Sequence, residues 1–209
     1  MDTAMFKLFF SSASPYVRKV MVAAIERGVE DQIELLKAAA SPIRRDQSIV
    51  SLNPTGKVPT AILPDGRALF DSRVICQYLD AKVSGSVLYP TGERYFDVLT
   101  LEALADGLLD AAILLRYETM LRPEALRWTD WMQGQSDKID SSLAALEGGA
   151  IDMQDETFHA GSIAVSCALG YLDFRFADRH WRASAPKLAS WFEGVSTRPS
   201  LLRTVPVVT

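Results

Sequence analysis

The chain has 209 residues, 22 basic and 26 acidic side chains, a net charge of −4 and a hydrophobic fraction of 48%. That size and balance describe a globular protein of one large or two small domains whose core needs no disulfide or metal. An acidic chain gains little from counterion release, so nucleic acid is an unsuitable partner.

The charge is uneven. Residues 1–83 carry 11 basic and 9 acidic groups, residues 84–209 carry 11 and 17, so the first part is the better host for an anionic ligand. Cys76 and Cys167 each lie in an apolar helical run, which reads as two buried thiols in a reducing compartment. No basic-apolar-small leader pattern stands at the N-terminus, and no apolar run is long enough to span a bilayer. A cytoplasmic protein is expected.

In chain order, Met5 to Phe10 is an apolar run broken only by Lys7, a buried strand. Ser11 to Ser14 turns the chain. Pro15 suits the first position of a helix and Ser14 its N-cap; Val17, Val20, Met21, Ala24 and Ile25 follow at helical spacing, and Gly28 stops the run. Gln32 to Lys37 reads as a second strand, completing a βαβ unit with a right-handed crossover. Ser41-Pro42 repeats the cap-then-proline signal and predicts a short helix to about Val50.

Leu52 to Pro59 holds two prolines and a glycine and must be irregular. Thr60 to Leu63 and Arg67 to Phe70 predict strands joined by a Pro64-Asp65-Gly66 turn, and a helix follows from Ser72. The order βαβ-ββα predicts an α/β N-terminal domain of thioredoxin-like topology over residues 1–83. Ser84-Gly85-Ser86 opens a candidate linker over 84–90. From 91 to 209 only helices are predicted: a long one to Thr119, one opened by Pro123 and ended at Gly148-Gly149, an apolar one over 162–176, and one from Pro186 to Val195. The second domain reads as an all-α C-terminal helical bundle, with its tryptophans as packing residues.

Two histidines, His159 and His180, stand apart from any cluster of cysteines or carboxylates at ligand spacing. That argues against a metal site and against a histidine-based hydrolase, and both read as surface or loop residues. There is no Cys-x-x-Cys; the strand-to-helix turn where a thioredoxin-like protein would carry its cysteines reads Ser14-Pro15-Tyr16-Val17. At that turn a hydroxyl and a helix N-terminus face the same space, and both favour a ligand thiolate over its thiol. Ser14 can equally be a plain N-cap, and Ser11, Ser12 and Tyr16 are rival donors.

Lys57-Val58-Pro59-Thr60 precedes a strand. If the Val58–Pro59 bond is cis, the Val58 backbone turns outward and can pair with a peptide ligand; a trans proline at a strand start is the alternative. Phe70-Asp71-Ser72 marks another strand-to-helix junction. There Ser72 would cap the helix and, with its N–H groups, receive a ligand carboxylate, while Asp71 would pair with a ligand ammonium. Capping alone is the alternative. A ligand with a central thiol, a peptide backbone and an amino-acid head would meet all three places.

Ser14 to Val20, Asn53 to Pro59 and Phe70-Asp71-Ser72 are similar, in order and spacing, to the motifs of the glutathione transferase superfamily, and the resemblance covers nearly the whole chain. The chain looks closest to bacterial members with a serine at the catalytic turn. The resemblance implies Ser14 as thiol activator, a cis Pro59, Val58 as the backbone contact, Asp71 and Ser72 as γ-glutamyl contacts, and Lys57 near the glycine carboxylate. It implies glutathione as co-substrate, no metal, a small electrophile bound between the domains, and a homodimer without nucleic-acid or membrane partners. A fold-sharing interaction or ligand-binding module without catalysis, and another glutathione-dependent reaction such as isomerisation or dehalogenation, are the rival readings. Two departures stand out: Ser162 is followed three residues later by Val165 rather than by an acidic cap, and Asp71 replaces the glutamate of many relatives.

Overall fold

The computed structural model describes residues 4–85 and 88–207, arranged as two compact units. One unit comprises the chain up to Pro90 together with the segment from Pro199 onward; the other is Thr91–Arg198. The helical unit thus ends at Arg198, where the sequence pattern alone extends it to the last residue. The physical reason is α9 (Pro199–Leu202), which packs on α1 (Pro15–Glu26) of the first unit.

The first unit is built on a four-stranded sheet in the order β2-β1-β3-β4. β1 (Phe6–Phe10) runs parallel to β2 (Ile33–Lys37) with Phe6 opposite Ile33; β3 (Thr60–Ile62) is antiparallel to β1 with Thr60 opposite Phe9; β4 (Ala68–Leu69) is antiparallel to β3. Phe6, Leu8 and Phe9 are buried while Lys7 points out to a register partner, Glu34, at 2.9 Å. α1 follows β1 and buries Val17, Val20 and Ala24; α3 (Ser72–Lys82) buries Ile75 and Leu79, and the two helices pack together. Gly28 lies just past the end of α1 in the left-handed region at φ +65°, where a side chain would be strained.

The second helix is shorter than its sequence signal. α2 is only Gln47–Val50, because Asp46 is its N-cap: the carboxylate accepts from the Ser48 N–H and hydroxyl and from the Ala39 N–H. Ser41 spends its hydroxyl on the N–H groups of Ile43 and Arg44 in a turn that precedes the helix.

The expected linker is anchored in its second half, and Ser86 lies outside the described residues. The N–H groups of Leu88 and Tyr89 donate to the buried Asp80 carboxylate at 3.3 and 3.1 Å, and Asp80 pairs with Arg27 at 3.2 Å. Arg27 also donates to the carbonyls of Val83 and Ser84.

The second unit contains α4 (Glu93–Met120), α5 (Thr129–Ala145), α6 (Ala160–Arg175), α7 (Trp181–Ser184) and α8 (Pro186–Ser196). α6 is buried over its first thirteen residues and packs chiefly on α4. Gly161 permits the approach, since a Cβ there would come within 3.0 Å of Leu101. Glu147, in the turn after α5, accepts the Lys187 and Leu188 N–H groups and so caps α8.

Three sequence expectations change here. Pro123 opens only a short 3₁₀ turn, and α5 begins at Thr129, because Glu118 accepts the Trp128 N–H and Arg127 donates to the Thr119 carbonyl, fixing the chain in a non-helical course. Trp128 is not a packing residue but 63% exposed, whereas Trp181 is buried against Phe192 and donates to Asp173.

The third is His159, which is buried rather than a surface residue and is the N-cap of α6: its ring Nδ1 accepts the Ser162 N–H at 3.3 Å. The cap therefore sits three residues before Ser162, which explains why no acidic residue is needed at Val165. Burial lowers the His159 pKa, against the pull of Asp155 and with help from Arg94, which keeps Nδ1 free to accept.

Candidate functional site

Sheet register brings the three sequence motifs together. β1 ends at Phe10 and leads into the Ser14 turn. β3 starts at Thr60 beside Phe9, so Val58–Pro59 stands at that same end. β4 ends at Leu69 beside Ala61, so Phe70-Asp71 leaves the sheet there too. A strand-to-helix turn, a strand entry and a second strand-to-helix turn thus share one end of a single sheet, the end from which α1 and α3 both begin. Two helix N-termini with positive dipole ends flank a sheet entry whose backbone is unpaired in the register.

Ser14 is the N-cap of α1, its Oγ accepting the Val17 N–H at 3.3 Å. A hydroxyl that accepts in this way retains its own O–H for donation to a ligand. Pro15 at the first helical position has no N–H, so the hydroxyl competes with fewer backbone donors there.

Val58–Pro59 is a cis peptide, and Pro59 is buried. The preceding loop is organised by Asn53, which is almost fully buried. Its Oδ1 accepts the Thr55 N–H and hydroxyl at 3.1 and 2.7 Å; its Nδ2 donates to the Lys57 carbonyl and to Thr60 Oγ1 at 3.2 and 2.9 Å. The Thr60 hydroxyl itself donates to the Lys57 carbonyl at 2.8 Å. Arg45 closes the loop from outside by donating to the Pro54 carbonyl. Gly56 sits beneath it at φ +66°, where a Cβ would lie 3.2 Å from Val50 and 3.3 Å from Arg45. The Lys57 side chain is exposed.

At the third turn the roles of two residues are exchanged relative to the sequence expectation. Asp71, not Ser72, is the N-cap of α3, with its carboxylate accepting the Arg73 N–H at 3.0 Å; Ser72 is the first helical residue and is buried. The shorter aspartate side chain reaches the second N–H after it, which is the distance an N-cap spans. Arg73 pairs with the same carboxylate at 2.9 Å. Burial works to raise the Asp71 pKa, but the hydrogen bonds and charge of Arg73, with the charge of Lys19, outweigh it and hold the group below the usual carboxylate value.

Asn53, Arg45, Arg73 and Lys19 are site-supporting residues to which the sequence reading gave no role. Asn53-Pro54-Thr55-Gly56 is a legible turn signal, since asparagine bonds backbone two residues on. Arg45, Arg73 and Lys19 carried no signal: a charged residue in a polar stretch has no periodicity to mark it. Cys76 and Cys167 are both buried thiols. Among the described residues no three histidine, cysteine or carboxylate side chains gather as metal ligands, and no helix is long and apolar enough to cross a membrane.

Comparisons with known proteins agree with this fold. The family "Glutathione S-transferase, N-terminal domain" matches residues 13–82, and "Glutathione S-transferase, C-terminal domain" matches residues 129–194. The chain is 34% identical over 203 residues to the uncharacterized GST-like protein YibF of Escherichia coli (strain K12), covering 96% of this chain and 98% of that protein. It is similar to a crystal structure of a glutathione transferase family member from Pseudomonas fluorescens Pf-5 with bound glutathione, at 46% identity and a TM-score of 0.94 over 97% of this chain and all of that one. It is also similar to a glutathione S-transferase from Methylobacillus flagellatus KT with glutathione bound, at 34% identity and a TM-score of 0.86 over 97% of this chain and 100% of that one. The chain belongs to the glutathione S-transferase family, with a small mixed-sheet N-terminal domain and a helical C-terminal domain.

Proposed function

We propose that this protein is a serine-type glutathione transferase. Glutathione lies across the sheet end just described, with its thiol at Ser14, its cysteinyl backbone antiparallel to Val58, its γ-glutamyl head at Asp71 and Ser72, and its glycine carboxylate toward Lys57. Ser14 donates its free O–H to the sulfur while the N-terminus of α1 supplies a partial positive charge. A hydrogen bond to a charged group is worth about 1.5–3 kcal/mol, or roughly one to two pKa units. The thiolate then attacks a small hydrophobic electrophile, forming the S–C bond as the leaving group departs with its electron pair. The protein acts as a cytoplasmic homodimer, each chain a sheet domain to which the segment from Pro199 returns and a helical domain over 91–198, joined through 84–90.

The single observation that carries this reading is the convergence of Ser14, cis Val58–Pro59 and Asp71 on one end of one sheet. A relative of 46% identity crystallised with bound glutathione supports it. So does a second structure, from the same organism and at the same identity, with bound S-(propanoic acid)-glutathione.

The test is calorimetric titration of glutathione into the wild type and Ser14→Ala, with thiolate absorbance in the ultraviolet read on the same samples. Wild-type binding with thiolate near neutral pH, and Ser14→Ala binding without it, is the expected result. Thiolate formation that survives Ser14→Ala moves the role to Ser11, Ser12 or Tyr16. Absence of wild-type binding at millimolar glutathione overturns the transferase and favours a non-catalytic interaction module.

A further inference from the structure

Several arginines of the helical unit pair with carboxylates: Arg94 with Asp155, Arg122 with Glu118, Arg179 with Asp140 and Arg182 with Asp173. Arg116 and Arg175 differ. Among the described residues neither guanidinium has an ion-pair or hydrogen-bond partner. The acids nearest in sequence are engaged elsewhere. Glu118 holds Arg122 and the Trp128 N–H, and Asp173 holds Arg182 and Trp181. Both arginines are half-buried. The Arg175 guanidinium lies 3.7 Å from the Phe174 ring centre, which fixes its plane. Of its nitrogens only Nε is enclosed without a partner, so the terminal Nη pair remains to meet a ligand.

The helices that carry the two run side by side in the same direction. Gly161, at the start of α6, meets Leu101 of α4, where a Cβ would lie 3.0 Å from the leucine side chain. At about 1.5 Å per residue, Arg116 and Arg175 stand at nearly equal heights beyond that contact. At about 3.6 residues per turn, both lie within a quarter turn of it. Tyr171 precedes Arg175 by one turn of α6 and is buried. The charges act across the pair: burial lowers the Arg175 pKa and the Arg116 charge lowers it further. Burial pushes the Tyr171 hydroxyl up to about 12 against both arginine charges, so it stays protonated and can donate. Two neighbouring cations with no acid between them repel, and an oxyanion placed between them removes that repulsion. Their planar forks match carboxylate geometry.

We propose that Arg116 and Arg175 form an anion subsite of the helical unit, and that the electrophile this protein takes is a small organic acid whose carboxylate lies between the two guanidinia. The substrate class rests on the transferase reading; the subsite does not. In the reaction the thiolate bonds to the carbon bearing the leaving group, which departs with its electron pair. The carboxylate takes no part in that step and serves only to hold the molecule.

The subsite is read first, without glutathione, by calorimetric titration of 4-nitrobenzoate into the full chain. The variants are Arg116→Met and Arg175→Met, each first checked for a cooperative unfolding transition. 4-Nitrobenzamide and inorganic phosphate are the controls. The wild type is expected to bind 4-nitrobenzoate, each variant to bind it roughly tenfold more weakly or worse, and both controls to bind the wild type more weakly by a similar factor. Should one variant fail to fold, the other decides. No wild-type binding at millimolar acid, undiminished binding by the folded variants, a control that binds as tightly as the acid, or displacement by glutathione each overturns the subsite. The substrate class is read next, with glutathione, as kcat/KM for 4-chloro-3-nitrobenzoate against 4-chloro-3-nitrobenzamide, each divided by its uncatalysed rate. Chloride is the leaving group in both. The wild type should favour the acid, and each variant should lose that preference through a raised KM for the acid alone. A preference for the amide, or one that survives in the folded variants, overturns the substrate class. Turnover of neither compound while 4-nitrobenzoate still binds overturns the transferase reading and supports the subsite alone.

Discussion

Asn53 Nδ2 donates to the Thr60 hydroxyl, 2.9 Å away, across the loop that carries Lys57, Val58 and Pro59. One buried amide thereby joins the end of that loop to the first residue of β3, and its oxygen holds the loop's beginning through Thr55. Replacing Asn53 by Ala leaves the Thr60 hydroxyl short of a buried donor and releases Thr55. The cost expected is about 1–3 kcal/mol in unfolding free energy by urea titration. Glutathione affinity should fall with it, because the Val58 backbone is no longer held. An unchanged midpoint together with unchanged affinity would show that the loop holds itself.

Asp80 and Arg27 form a pair with side chains 3% and 7% exposed, and Asp80 also receives two backbone N–H groups. Asp80→Ala strands a buried cation and frees residues 88–89. Removal of one partner from a buried pair costs about 3–5 kcal/mol. The expected readout is a large drop in the urea midpoint and new protease cleavage near residue 88. A variant as stable as wild type would refute this account of the anchor.

His159 has a pKa below its ordinary value and is neutral as the cap of α6. The unfolded chain takes up a proton near pH 6.5 that the folded chain refuses, so stability is full above that value and declines as pH falls below it. His159→Asn retains a capping oxygen and removes the titration. Stability plotted from pH 7.5 to 5 should therefore be flatter in the variant. Parallel curves for the two proteins would mean that another group sets the slope.

Asp71 is held ionised by Arg73 against the effect of its own burial. A carboxylate with a lowered pKa stays charged above its ordinary value and loses that charge only as pH falls through the lowered one. Arg73→Met returns the group toward the ordinary carboxylate range. If Asp71 receives the ligand ammonium, glutathione binding by Arg73→Met should weaken at a higher pH than in the wild type on descending from pH 6 to 3. Identical pH profiles would remove Asp71 from the ammonium contact. The pair is about half exposed, so little change in stability is expected.

Most of the fold was legible because its signals are local. Pro15 after Ser14 and the apolar spacing of Val17, Val20 and Ala24 specify α1 from sequence. The prolines of 52–59 mark a loop, and α6 is apolar on every face. The differences arise where a distant or unusual group decides. Ser41-Pro42 is a good helix start that loses to Asp46, whose carboxylate serves Ala39 and Ser48 together. Pro123 is a good helix start overruled by Glu118, ten residues before the Trp128 N–H that it accepts. Imidazole is an uncommon cap, so His159 gave no sign of its place. At the site, Ser14 and Pro59 announce themselves by residue type. The capping distance that puts Asp71 rather than Ser72 outside the helix is decided by backbone angles no pattern records.

The return of residues 199–207 to the first unit has a consequence for synthesis. The chain leaves the ribosome in order, so the sheet and α1 are made before the helical unit, and Leu201, Thr204 and Val207, which bond Arg18 and Ser12, only after it. Until then the guanidinium of Arg18 and one flank of α1 face water. The sheet unit can be completed only after the whole helical unit has been translated, so a nascent chain stalled inside that unit would display an unfinished α1 surface to chaperones.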